Sequence, residues 1–359
     1  MKVIDKHLAS AFLRVFGVSI LIFLGMFLLV DFFEKLRMIL RDHPSAADTF
    51  LFFAARLPWS LTQVIPVATL LATVLSLTLL ARHGEITALR CAGVPLRRLA
   101  LPYLACGAIL ALITGFIQEI AAPRGFAFAR EVKEVRIKKR SPLTLLKTEN
   151  LWLRSGPTVI HVGRVDPEAA LLTDVSVAEL EANRVVRRVD ARRARWDGER
   201  WQLAEAEIRS FNADGIPRTE RQAEYPLALG GRPEDFRIAK LQPNEESWAD
   251  LKRRVQRYRS QGVDTRDLEV GLWSKTSMPF VSLVMPLLAF PFGVRAGHRG
   301  GASLGIVLAV VLGFGFLMVS GVFLSLGKAD VLPPALAAWS GNILFAAAGA
   351  ILLLRAESR

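Results

Sequence analysis

The sequence predicts an α-helical polytopic membrane protein, with six transmembrane helices placed three and three around an inserted all-β domain. Three observations predict it. Six uncharged apolar runs punctuate the chain: Val15–Val30, Leu57–Ala81, Leu99–Gln118, Thr276–Val294, Gly300–Gly327 and Val331–Leu354. A helix that crosses a bilayer needs about 20 mostly apolar residues, because the hydrocarbon core offers its backbone no water. Charge is gathered between the third and fourth runs, where Ile120–Lys275 holds 30 Lys and Arg and 24 Asp and Glu, leaving 16 and 9 for the rest of the chain. That stretch is water-exposed and long enough for its own core. Within it, from Leu143 to about Lys240, short β-rich pieces are separated by turn signals.

The first run is the shortest, and Phe12, Leu13, Phe32 and Phe33 extend it while Arg14 snorkels to the interface. It is too long for a secretory signal core and no small-x-small cleavage site follows it, so it stays as a span. Lys and Arg in the short connections set the orientation. One side holds Lys2, Lys6, Arg14, Arg82, Arg90, Arg97, Arg98, Arg295, Arg299, Arg355 and Arg359, eleven in all, against five on the other, Lys35, Arg37, Arg41, Arg56 and Lys328. Both termini are therefore expected in the cytoplasm and the insert outside. Lys35, Arg37, Arg41 and Arg56, all in the first external connection, run against that rule and ask for a role.

Beyond the third span, Arg124–Arg140 reads as a charged helix that continues it after Pro123. The β pieces are Leu151–Arg154, Thr158–Val165, Val175–Leu180, Val185–Trp196 and Trp201–Phe211, and Asp197-Gly198 between the last two signals a type I′ hairpin. Together they predict a small sandwich or jelly roll. Ser247–Gln261 then reads as an amphipathic helix, with Trp248, Leu251, Val255 and Tyr258 at helical spacing. It lies either in the outer membrane–water interface or as a cap on the β domain. Four regions follow: 1–140 with spans 1–3 and a cytoplasmic connection at 82–98, a β domain at 141–245, the amphipathic helix at 246–270, and spans 4–6 at 271–359.

A formal charge of +13 suits polyanionic partners, and beside a membrane these are phosphate-bearing lipids. No nucleic-acid-binding module accompanies the basic residues. Cys91, in a polar connection, and Cys106, inside a span, are poorly placed for a disulfide. The histidines His7, His43, His83, His161 and His298 have no metal-ligand spacing, and no Gly-x-Ser-x-Gly elbow occurs. Gly321–Lys328 has a P-loop outline, but five residues separate its glycines and Ala329 stands where a magnesium-binding hydroxyl belongs. The chain is read as no enzyme, with no cofactor of its own.

Two polar constellations stand out. In the 82–98 connection, Gly84 starts and Gly93 with Pro95 ends a short helix bearing Glu85, Leu89 and Arg90. Such a helix is what an ABC permease offers to its ATPase; the alternative is an ordinary helical loop. The second is basic. Glu34, Arg37 and Arg41 share a face if helix 1 continues outward, while Lys35 points elsewhere, and Arg130, Lys133 and Arg136 share an arc that Arg140 extends. External cations beside an apolar bundle suit a ligand with acyl chains and phosphates. The alternative is headgroup snorkelling and a solvated helix face.

The chain resembles the LptF/LptG (YjgP/YjgQ) family, permeases of the lipopolysaccharide-export ABC transporter, along nearly its whole length. The matching segments are VIDKHL at 3–8, GEITALRCAG at 84–93, AAPR at 121–124, LWSK at 272–275 followed by Pro279, and LAFPFG at 288–293. The opening and Trp273-Ser274-Lys275 look more like LptG than LptF, and Cys91 departs from the family's small residue. The resemblance implies a multi-pass inner-membrane protein of a Gram-negative bacterium with a periplasmic jelly-roll-like domain. It would be half of a heterodimeric permease with an LptF-like partner, extracting lipopolysaccharide for outer-membrane biogenesis. An LptB-type ATPase dimer would bind the ATP, and LptC- and LptA-type proteins would receive the lipid. The implied lipid-binding cations are Lys35, Arg37, Arg41, Arg130, Lys133 and Arg136, with Lys35, Arg130 and Lys133 foremost and Arg37 neutralised by Glu34 one turn away. Glu85, Leu89 and Arg90 are the implied ATPase contact. A non-transporting envelope-assembly scaffold is the second reading; it needs neither constellation.

Overall fold

A computed structural model describes residues 2–137, 148–155, 158–166, 171–181, 184–197, 200–211, 217–227, 242–260, 264–299 and 301–357. The chain divides into two compact units, Met1–Ala129 with Arg266–Arg359, and Arg130–Thr265.

The first unit is helical. It comprises α1 (Lys2–Asp42), α2 (Ala46–Arg82), the short α3 (Glu85–Cys91) and α4 (Leu96–Phe116). A π turn, Ile117–Ala121, carries α4 directly into α5 (Ala122–Glu131). After the insert come α7 (Arg266–Arg299), α8 (Gly301–Lys328) and α9 (Pro334–Glu357). Six helical stretches among the described residues are long and apolar enough to cross a membrane, α4 and α5 counting as one. At 41 residues α1 spans about 60 Å, twice the bilayer core, so it overhangs the hydrocarbon. Ser45 caps α2 by accepting from the Asp48 N–H at 3.1 Å and donating its hydroxyl to that residue's carboxylate at 2.7 Å.

Helices α2 and α7 form the centre of this unit, and α1 and α8 its bare periphery. Glycines permit the closest approaches: a Cβ on Gly107 would lie 2.7 Å from the Ser282 carbonyl oxygen, and one on Gly349 2.9 Å from the Leu287 carbonyl carbon. Three buried hydroxyls of α2 are satisfied within their own helix, Thr69 donating to the Ile65 carbonyl at 2.7 Å, Thr73 to Thr69 at 2.8 Å and Ser76 to Ala72 at 2.6 Å, while Thr78 donates across to the Gly293 carbonyl of α7 at 3.3 Å.

The second unit holds the expected β domain, which among the described residues is one sheet and not the sandwich or jelly roll that the strand pattern suggested. Its strands β1 (Thr148–Ser155), β2 (Thr158–Asp166), β3 (Leu171–Glu181), β4 (Arg184–Trp196), β5 (Trp201–Phe211) and β6 (Pro217–Leu227) make one antiparallel sheet in sequence order, a meander. One face buries Ile160, Val162, Leu172, Val175, Val177, Val189, Trp201, Leu203 and Ile208. The alternation slips at Asp174 and Glu205, whose φ of 55° and 56° mark left-handed kinks in their strands. The five expected β pieces fall inside β1–β5. The β4–β5 hairpin stands where expected, Asp197 N–H donating to the Arg200 carbonyl at 3.0 Å, while Gly198 of its turn lies outside the described residues.

Helix α6 (Trp248–Ser260) belongs to this second unit. Leu251 and Val255 are buried, and Arg254 is buried against Glu246 at 3.0 Å, so the apolar stripe of α6 is already spent on protein contacts. The Ser247 hydroxyl and then Arg253 hold the Asp250 carboxyl at its first turn below the ordinary range.

Candidate functional site

The helix between spans 2 and 3 forms as its sequence dictates. Gly84 and Gly93 take φ of +77° and +82°, a left-handed backbone that side chains resist, and they bracket the seven residues of α3. Ile86 is fully buried, and Leu89 packs partly on the cluster that contains Leu8, Phe12, Leu96 and Leu99. Leu89 therefore anchors α3 to the bundle. Arg90 is exposed, as are Thr87 and Ala88, and these form the outward face. Glu85 stands at the first turn, where a carboxylate meets the positive end of the helix. Its Oε2 accepts from His7 Nε2 at 2.8 Å.

More ion pairs surround α3. Arg98 Nη2 donates to Asp5 Oδ2 at 2.6 Å, and Arg97 Nε lies 3.4 Å from Glu357 Oε1. They join the first turns of α1, the start of α4 and the last turn of α9 at one end of the bundle.

At the opposite end, the four unexpected cations have separate explanations. Arg56 makes a two-pronged bond to Asp31, Nε to Oδ2 at 3.1 Å and Nη2 to Oδ1 at 3.2 Å. Asp31 is buried and Arg56 nearly so, its guanidinium lying 5.3–5.7 Å from the ring centres of Phe52, Trp59 and Phe126. Arg56 is thus a structural cation, an arrangement suited to guanidinium and aromatic faces. Lys35 Nζ lies 3.3 Å from Glu34 and 3.9 Å from Asp31. Arg41 pairs with Asp42 at 2.8 Å. Arg37 is exposed, and Glu34 turns to Lys35 rather than to it, which corrects the expectation that Glu34 neutralises Arg37. Adjacent side chains seldom meet on a helix, but the long lysine stem bends round to reach both carboxylates.

The second basic trio belongs to the other unit. Arg130, on α5, bonds Glu245 in the turn Pro243–Glu245. A π turn, Val132–Ile137, replaces the α geometry that would stack Lys133 and Arg136 above Arg130 on one arc. Lys133 is half-buried and Arg136 exposed. Arg140, expected to extend this arc, lies outside the described residues.

On the polar face of the sheet a groove of about 770 Å³ is lined by His161, Asp174, Asp190, Glu205, Glu207 and Arg221 among others. Asp190 and Glu207 are already engaged by Arg188, Arg209 and Arg221. Among the described residues, no group of three or more His, Cys, Asp or Glu could hold a metal ion. Sequence reasoning missed Asp31 and His7. A signal existed for Asp31, since a carboxylate at the end of an apolar run demands a partner; His7 stands in the matching segment at 3–8, but nothing there pointed to its partner 78 residues away.

Among the described residues, six membrane-length helices, a short bracketed helix between the second and third, and a β unit inserted between the third and fourth define a polytopic membrane protein with an inserted β domain. The family model for lipopolysaccharide export system permease LptF/LptG matches residues 6–355. The chain belongs to that family. It is 22% identical over 357 residues to the lipopolysaccharide export system permease protein LptG of Escherichia coli (strain K12), covering 98% of each chain. The LptG of Escherichia coli O6:H1 (strain CFT073) gives the same 22% identity and 98% coverage of both chains.

Proposed function

We propose that this chain is the LptG-type half of a heterodimeric permease that lifts lipopolysaccharide out of the inner membrane. An LptF-like chain is the other half, an LptB-type ATPase dimer binds at α3, and LptC- and LptA-type proteins receive the lipid. Both termini lie in the cytoplasm and the β unit in the periplasm. The observation that carries the reading is the family match across residues 6–355, which runs through both membrane halves and the insert between them. ATP and magnesium would belong to that ATPase.

At α3, Glu85 and Arg90 meet the ATPase and Leu89 holds the helix in place. At the other end of α1, Arg37, Lys35 and Arg41 offer cations to lipid phosphates, Arg37 with the least competition from neighbouring carboxylates. Arg130, Lys133 and Arg136 do the same from the insert's side, where the bond to Glu245 means lipid must displace a carboxylate from Arg130. A charge-assisted contact to a desolvated phosphate contributes about 1.5–3 kcal/mol, or roughly ten- to hundredfold in affinity.

Purification from native membranes tests the reading. An ATPase and a second six-span chain should co-purify, and ATP hydrolysis should rise with lipopolysaccharide but not with phospholipid alone. Photo-crosslinkers at Arg37 and Lys133 should capture lipopolysaccharide. A folded permease that brings down no ATPase, and yields no crosslinks, overturns it.

A further inference from the structure

We propose that His7 is a positioning residue for the ATPase contact: it holds Glu85 by one carboxylate oxygen and leaves the other presented to a cation of the ATPase. The contact surface is then the first turns of α1 together with α3. This rests on the reading of α3 as the ATPase-binding helix.

The geometry carries the inference in three steps. First, only half of the Glu85 carboxylate is used, since His7 Nε2 donates to Oε2 at 2.8 Å and no described group bonds Oε1. A glutamate side chain otherwise loses its rotamer freedom when a partner binds, and one that is already fixed does not. Second, His7 stands on a well-packed helical turn. Its neighbour Leu8 and, one turn on, Phe12 are buried at 1% and 0% exposure in the same cluster as Ile86 of α3. Asp5 ties this turn to Arg98 at 2.6 Å from the other flank. Third, the pair is not there for stability. His7 and Glu85 side chains are 50% and 41% exposed, and exposed pairs add little to folding. Ile86 and Leu89 already seat α3. What the pair does supply is a direct link: a push on Glu85 from the ATPase is passed to α1 without crossing α2.

The test uses the whole permease with its ATPase in lipid nanodiscs, measuring the apparent affinity of the ATPase for the permease, lipid-stimulated hydrolysis and the melting midpoint. His7→Ala should weaken the affinity about three- to tenfold, with the midpoint unchanged. His7→Gln, whose side-chain N–H also donates, should recover to within about twofold. The double variant His7→Ala/Glu85→Ala should be no weaker than Glu85→Ala alone, because the histidine acts only through the carboxylate. Should His7→Ala lower the midpoint, His7→Phe keeps the ring volume without the donor and takes its place in the comparison. Wild-type affinity in the donor-less variant, or losses that add in the double variant, overturns the positioning role. If Glu85→Ala itself binds the ATPase normally, the reading of α3 falls first; if Glu85→Ala weakens binding and the His7 variants do not, only the positioning role falls.

Discussion

At Asp31 and Arg56 a carboxylate and a guanidinium are removed from water together, under three aromatic rings. Breaking such a pair leaves one charge uncompensated, which costs about 3–5 kcal/mol, whereas replacing both partners by apolar residues of similar volume is near neutral. Asp31→Ala should therefore lower the melting midpoint of the detergent-solubilised protein sharply, and Asp31→Leu/Arg56→Met should recover most of the loss. Equal destabilisation by the single and the double variant would show that the rings, not the charge pair, hold this end of the bundle. Arg37→Ala should leave the midpoint unchanged. This contrast explains why a count of basic residues could not rank the candidate cations. Lys35, Arg41 and Arg56 are equal in such a count, yet Lys35 finds Asp31 one helical turn back, Arg41 the adjacent Asp42, and Arg56 Asp31 across 25 residues of chain.

Among the elements, the apolar runs were the most legible, because a span's length is dictated by the bilayer and needs no knowledge of its neighbours. The helix at Glu85–Cys91 was legible for a different reason: only two glycines could turn the backbone at both of its ends. Strand β6 was not. Its sequence PRTERQAEYPL carries two prolines and four charged residues, which argue against a strand in isolation, yet it pairs at the edge of the sheet along β5. The kinks at Asp174 and Glu205 also hid there, since each shifts the apolar alternation by one residue and blurs the period-two signal. Glycine spacing within spans gives an element-scale prediction. Gly107→Val should destabilise the protein by about 1–3 kcal/mol, since backbone of α7 stands where its side chain would go. Gly17→Ala, with open space around it on α1, should leave the melting midpoint unchanged or raise it.

For the whole molecule, the eleven-to-five distribution of basic residues in the connections predicts that α3 and the insert lie on opposite sides of the membrane. Nature has supplied half of the test, because Cys91 is free and exposed on α3. On a Cys106→Ser background, an impermeant maleimide added to spheroplasts should leave Cys91 unlabelled until the membrane is opened. Arg192→Cys, at an exposed position of β4 in a Cys91→Ser/Cys106→Ser chain, should label at once. The reverse pattern inverts the topology and takes the assignment of α3 to the ATPase with it.

Helices α2 and α7 are each other's principal support, yet residues 83–265 separate them, so synthesis makes them far apart in time. At about 5–20 residues per second, α2 waits on the order of ten to forty seconds for its partner, while the entire insert is being made. A span with orphaned hydroxyls would be a target for quality control throughout that interval. Thr69, Thr73 and Ser76 return their protons to carbonyls of their own helix, so these hydroxyls need no partner while α2 waits in the lipid, and Thr78 gains its bond to the Gly293 carbonyl when α7 arrives.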